Sequence, residues 1–225
     1  MHILLTAATK FEILPTVDFL GENQGPAGVV IDTLITGVGS LSTAWSLTHR
    51  IDRQRPDIII QAGIAGCWTG RQPGEVFVVC EDIQADQGVW EDGQFKTLFD
   101  LKLLDLDAPP YTDGLLVNPY KNLLALTSLE GIRAVTVSEI STDPLRMEWY
   151  RRQYDPTVES MEGAALHFVC LLEKVPFLQL RSVSNDVGTR DKSKWDIKKA
   201  IARLNEELIG LLKKLNTAQK LPMDL

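Results

Sequence analysis

The chain has 225 residues, 44% of them apolar and 24% charged, which supplies a sizeable core for one domain and leaves no compositional case for disorder. A formal net charge of −7, with lysine and arginine spread along the chain, argues against nucleic acid as a partner. No run approaches the ~20 apolar residues of a membrane span, so no membrane association and a cytoplasmic location are expected.

The elements alternate. An apolar run over 2–8 predicts a first strand, and 29–39 predicts a second that ends in Gly37 and Gly39 before a helix over 40–53. Residues 57–66, DIIIQAGIAG, are apolar almost without interruption, as in a parallel strand buried on both faces. Residues 75–86 predict the next strand. From 87 to about 120, Gly88, Gly93, Pro109, Pro110, Gly114 and Pro119 predict a long irregular excursion with at most one short helix or strand. A helix near 119–128, a strand over 132–141 and a helix over 144–154 follow, the last with Pro144 in its first turn.

Residues 160–175 show helical periodicity, with Ser160 placed to cap and Glu162 in the first turn, where the helix dipole favours a carboxylate. Residues 176–184 read as the last core strand, and 193–215 as an amphipathic helix before a frayed tail at 216–225. One domain over 1–215 is expected, an α/β fold of three α/β/α layers around a central mixed, largely parallel sheet. Cys67, Cys80 and Cys170 form no CxxC pair and the three histidines are scattered, so no disulfide, metal site or cofactor is expected. His167 sits among apolar neighbours and reads as a packing residue.

Polar residues and glycines gather at strand ends, where open α/β sheets hold their ligands. They are Glu12, the glycines of 37–39 and 62–66, Glu159, Glu162, and Arg181 with the adjacent pair Asn185 and Asp186. Each has a plainer reading: Glu12 as a surface acid, Glu162 as a helix-start acid, Asn185 as a turn residue, and Arg181 as one half of a buried ion pair with Glu12 or Glu159.

The ordered set AATKFE (7–12), TGVG (36–39), QAGIAG (61–66), VESMEGAALHFVC (158–170) and RSVSND (181–186) resembles the nucleoside phosphorylase and nucleosidase superfamily over nearly the whole chain. Within it the set is most similar to the hydrolytic branch. That resemblance implies a homo-oligomer, most simply a dimer, acting on a small-molecule nucleoside by way of an oxocarbenium-like sugar. Glu12 would take the proton of the attacking water, with Lys10 the one cation close by in sequence, and Arg181 would help place that water. Met161 would pack under the sugar and Glu162 would hold its 2′ and 3′ hydroxyls. Ala8, Gly63, Ile64, Glu139 and Ile140 would line the rest of the pocket, although Ile64 stands where adenine-specific members carry serine and Glu139 near the place of a stacking aromatic.

In those adenine-specific members an aspartate meets the purine, and here Asn185 takes its place. An amide can donate to a 6-oxo group that a carboxylate would repel, so the leaving base is expected to be a 6-oxopurine, with Asp186 as the alternative contact. The resemblance is then to the futalosine hydrolases, which imply release of hypoxanthine in menaquinone biosynthesis. A methylthioadenosine/S-adenosylhomocysteine nucleosidase, a phosphorylase and a binding-only nucleoside sensor stay open as rivals. Arg190, Lys192 and Lys194 are candidates, by charge alone, for a carboxylate on the substrate.

Overall fold

The unbroken apolar runs form the strands that are buried on both faces. The computed structural model describes residues 1–22, 28–68 and 70–217. In chain order they form β1 (His2–Ala7), α1 (Lys10–Glu22), β2 (Val30–Ile35), α2 (Ser40–Arg53), β3 (Ile58–Cys67), β4 (Val76–Asp82), β5 (Gly88–Glu91), β6 (Gln94–Thr97), β7 (Leu116–Val117), α3 (Lys121–Leu126), β8 (Gly131–Thr136), α4 (Pro144–Tyr154), β9 (Val158–Ser160), α5 (Gly163–Glu173), β10 (Phe177–Asp186) and α6 (Ile197–Thr217). The mixed sheet runs β2, β1, β3, β10, β4, β8, β9, and β9 pairs back onto the end of β3. Neighbours are parallel except at β10–β4, β3–β9 and β4–β7, so the sheet is largely parallel as expected.

This closure matters for the site. The first half of β3 lies in the open sheet beside β1, while Gly66 and Cys67 at its end pair with β9. Ala65, Cys67, Val79, Val158 and Val183 then meet in a small buried cluster inside the curled part. The main core lies between the sheet and its helices, with α1 against α6 and α2 against α5.

Several elements differ from the expectations. The excursion contains three short strands rather than one at most. Asp92 and Gly93, both at positive φ (51° and 75°), close a two-residue hairpin between β5 and β6, the Asp-Gly turn whose twist matches that of paired strands. Phe95 anchors the hairpin against Trp149 of α4, ring centroids 4.8 Å apart. The strand expected over 132–141 ends at Thr136. The helix expected from 160 begins at Gly163, because Val158–Ser160 are drawn into the sheet as β9 by pairing with both β3 and β8. Ser160 still meets the helix start, its Oγ accepting from Gly163 N at 3.3 Å, and Glu162 occupies the N-cap position rather than the first turn. The last strand runs on through Asn185 and Asp186, and α6 starts at Ile197 after a single 3-10 turn at Lys192–Lys194. Asn216 and Thr217 belong to α6, and the rest of the expected tail lies outside the described residues.

Helix α1 has no counterpart among the expected elements. Pro15 lies inside it, where it removes one backbone donor. Asn205 of α6 splints the turn: its Oδ1 accepts from Thr16 N at 3.0 Å and its Nδ2 donates to the Glu12 carbonyl at 2.8 Å. Those two backbone groups are the pair that would bond each other in a regular helix. No helix among the described residues is long and apolar enough to cross a membrane.

Candidate active site

Glu12 is built in by the turn that starts α1. Its Oε2 accepts from both Thr9 N and Thr9 Oγ1 at 2.9 Å, the reach-back of a capping box, and its Oε1 accepts from Ile64 N at 3.1 Å. The carboxylate is thus pinned between the ends of β1 and β3, 8% exposed.

Glu162 is held from two sides. Gly39 N donates to its Oε1 at 3.1 Å, and Arg181 Nη1 lies 3.5 Å from its Oε2. Gly39 has a φ of 90°, a conformation that favours glycine, so the TGVG turn sets the amide at the carboxylate. Arg181 is itself 1% exposed, with Nη2 donating to Gln61 Oε1 at 2.7 Å. Its Nη1 and Glu12 Oε1 both stand within 3.0 Å of the point that a Cβ on Gly63 would occupy. Arg181 positions Glu162. The ion pair is with Glu162, not with Glu12 or Glu159.

The start of α5 rests on a second buried network. Asp82 Oδ1 accepts from Thr136 Oγ1 at 2.9 Å and from Ile83 N at 2.8 Å, and Oδ2 accepts from Gln179 Nε2 at 3.2 Å. Thr136 Oγ1 in turn accepts from Ala164 N at 2.8 Å. Burial pushes the Asp82 carboxyl up to about 6, against the opposing pull of these bonds and of Arg181. A folded-state value above the unfolded one favours the protonated carboxyl, so the stability this group contributes is complete below about pH 4 and is lost as the pH rises to about 6. Asp82→Asn is expected to erase that loss, worth about 3 kcal/mol. Denaturant melts of both proteins from pH 4 to 8 check it; a constant difference across the range would refute the assignment. His167, buried nearby with Nδ1 2.8 Å from the Leu116 carbonyl, is pushed down to about 4 by burial and stays neutral as a packing residue.

A β-bulge places Asn185. In the β10–β3 ladder Val183 pairs with Ala65 but Asn185 pairs with Gly66, so Ser184 is the extra residue and the alternation reverses. Val183 points into the curled sheet, while Asn185 turns outward into a cavity of about 280 Å³. Its Oδ1 accepts from Ser184 Oγ at 2.8 Å and its Nδ2 donates to the Asp186 carbonyl at 2.9 Å, which leaves one N–H for a ligand.

The same cavity brings together Ala8, Glu12, Ile64, Ile140, Met161, Glu162 and Asn185. Gly63, Arg181, Glu139 and Asp186 do not line it. Gly63 serves as the gap that admits Arg181 beside Glu12, Asp186 is exposed, and Glu139 is exposed and paired with Arg146 at 2.8 Å. Lys10, Arg190, Lys192 and Lys194 are also exposed and outside the lining, although Arg190 stacks on Trp195, which lines it. Among the described lining residues there are three carboxylates, Glu12, Glu159 and Glu162, and no lysine, arginine or histidine. A larger groove of about 430 Å³ beside α6 holds Glu130, Lys199, Arg203 and Glu207, with Arg203 paired to Glu207 at 3.6 Å; it is a solvated, charge-compensated surface. No cluster of histidine, cysteine or acidic side chains able to hold a metal occurs among the described residues.

The family model described as "Phosphorylase superfamily" matches residues 25–216. The chain belongs to this superfamily. Among its relatives, a futalosine hydrolase of Streptomyces coelicolor is 31% identical over 92% of this chain and 93% of its own. A 5'-methylthioadenosine/S-adenosylhomocysteine nucleosidase of Bacillus subtilis is 26% identical over 92% and 90%. The native structure of the futalosine hydrolase of Helicobacter pylori has the same fold, with a TM-score of 0.77 at 17% identity over 95% of this chain and 98% of that one. In this superfamily member, Thr9, Thr189 and Trp195 also line the cavity without having been expected there, and so does Glu159, which the sequence placed among the strand-end polar residues but gave no part in the chemistry.

Proposed function

We propose that the chain is a cytoplasmic, homodimeric nucleosidase that hydrolyses the N-glycosidic bond of futalosine, releasing hypoxanthine and dehypoxanthine futalosine in menaquinone biosynthesis. The observation that carries hydrolysis is the charge of the cavity. A phosphate dianion would enter among three carboxylates with no lysine, arginine or histidine in the described lining to offset them, whereas water needs only a base.

Glu12 accepts the proton of a water below the anomeric carbon, and that water's oxygen bonds to the carbon as the base departs. Glu162 accepts from the ribose hydroxyls and its charge favours the positive sugar of the transition state. The remaining Asn185 N–H meets the electron density that collects on the leaving 6-oxopurine. The relative named as a futalosine hydrolase, the more similar of the two curated relatives above, favours this substrate over a methylthio-nucleoside. Leu41 and Trp45, 89% and 68% exposed on α2 near Val38 at the cavity, supply an apolar face for a second copy.

The test is base release from futalosine and from methylthioadenosine, with and without phosphate, by a protein whose mass is set by light scattering. Hypoxanthine release without phosphate from a two-chain particle is the expected result. Asn185→Asp should move preference towards the 6-amino base by on the order of 10-fold, about 1.4 kcal/mol. Preference of the unmodified protein for adenine nucleosides would sink the reading.

A further inference from the structure

Glu159 is the one acid in the cavity that the steps above leave idle. Gly66 pairs with Asn185 on one side and with Glu159 on the other, so the two side chains flank it across two strand spacings, roughly 9.6 Å. Gly66 contributes no side chain to the gap. Val158, the neighbour of Glu159, belongs to the cluster inside the curled sheet, so Glu159 points the opposite way, into the cavity. The residue is 7% exposed. Its Oε1 accepts from Ser141 N at 3.1 Å, and its Oε2 is buried with no hydrogen-bond partner.

A buried acceptor without a donor is costly unless a ligand brings one. We propose that Glu159 Oε2 accepts the N1–H of a 6-oxopurine, reading the edge of the base next to the one that Asn185 meets. The inference rests on the 6-oxopurine reading above and names the residue that selects the base. Burial, with the Asp86 charge adding to it, holds the Glu159 carboxyl above the usual range, and only the Ser141 contacts oppose this. Hypoxanthine carries a hydrogen on N1, whereas adenine presents a bare lone pair there, which would face a second lone pair on Oε2. Ile140, next to Ser141, lines the same cavity and closes the slot beside the carboxyl.

The Ser141 N–H makes glutamine a sharp probe. In Glu159→Gln the carbonyl must keep that N–H, so the NH₂ takes the place of Oε2 and turns a donor towards N1. Calorimetry with hypoxanthine, 1-methylhypoxanthine and adenine, on the unmodified protein and on Glu159→Gln, is the test. The unmodified protein should bind hypoxanthine best and lose at least on the order of 10-fold with 1-methylhypoxanthine. Glu159→Gln should lose a similar factor for hypoxanthine and gain for adenine. A folded Glu159→Gln with unchanged affinities overturns the inference alone, and should that variant not fold, equal binding of 1-methylhypoxanthine by the unmodified protein overturns it. Preference of the unmodified protein for adenine overturns the 6-oxopurine reading itself.

Discussion

Glu12→Gln is expected to lower turnover by about 10²–10⁴-fold, the span that a positioned general base contributes. The glutamine keeps the volume but cannot take a proton from water. It also meets a donor at each end, since Thr9 N and Oγ1 face one oxygen and Ile64 N the other. An amide NH₂ placed against either set leaves a donor opposed to a donor, which costs about 1–3 kcal/mol of local stability. Initial rates of base release read the first effect and thermal melting the second. Hypoxanthine binding should stay within a few-fold, because the proposed place of the base is the Asn185 end of the cavity. A variant that turns over at the original rate would remove Glu12 from the reacting atoms.

Gly63→Ala is expected to unfold the site from behind. The strand conformation at Gly63 suits any residue, so the obstacle is space. A Cβ there would stand 2.2 Å from Arg181 Nη1 and 3.0 Å from Glu12 Oε1. Arg181 is buried and fixed by Gln61 and Glu162, so it has no second position that keeps its partners. Displacing it leaves a buried charge without compensation, at a cost of about 3–5 kcal/mol. Denaturant melts should show that loss together with a fall in turnover, as Glu162 is released and Glu12 is crowded. Undiminished stability would show that the guanidinium moves freely and that the glycine is incidental.

The strands of the parallel core were legible because burial on both faces leaves its mark as continuous apolar runs, as in DIIIQAGIAG. The hairpin was missed although its signal is present: Asp92-Gly93 is a turn with mirror-image backbone angles, yet among so many glycines and prolines it reads as irregular chain. Helix α1 was invisible for a different reason. Pro15 interrupts it, and what restores the turn is an amide 190 positions away in sequence, Asn205. β9 escaped because three residues carry no period, and only its two neighbouring strands make it a strand. At the site, identity and order brought Glu12, Glu162 and Asn185 to one cavity, but the pairing of Arg181 with Glu162 rather than with Glu12 or Glu159 depends on the path of its side chain, and nothing in the residue string encodes that. Likewise the bulge at Ser184 decides which way Asn185 faces, and a one-residue slip is not written in composition.

The splint from Asn205 to the backbone at Glu12 and Thr16 gives the last helix a say in the first. The Thr16 N–H and the Glu12 carbonyl find their partner only in a residue near the far end of the chain, so that turn of α1 is completed only once α6 is docked. A protein clipped ahead of residue 205 would lose that amide together with the buried Leu208, Leu211, Leu212 and Leu215, so the brace at Glu12 and the packing behind the sheet would go at one stroke.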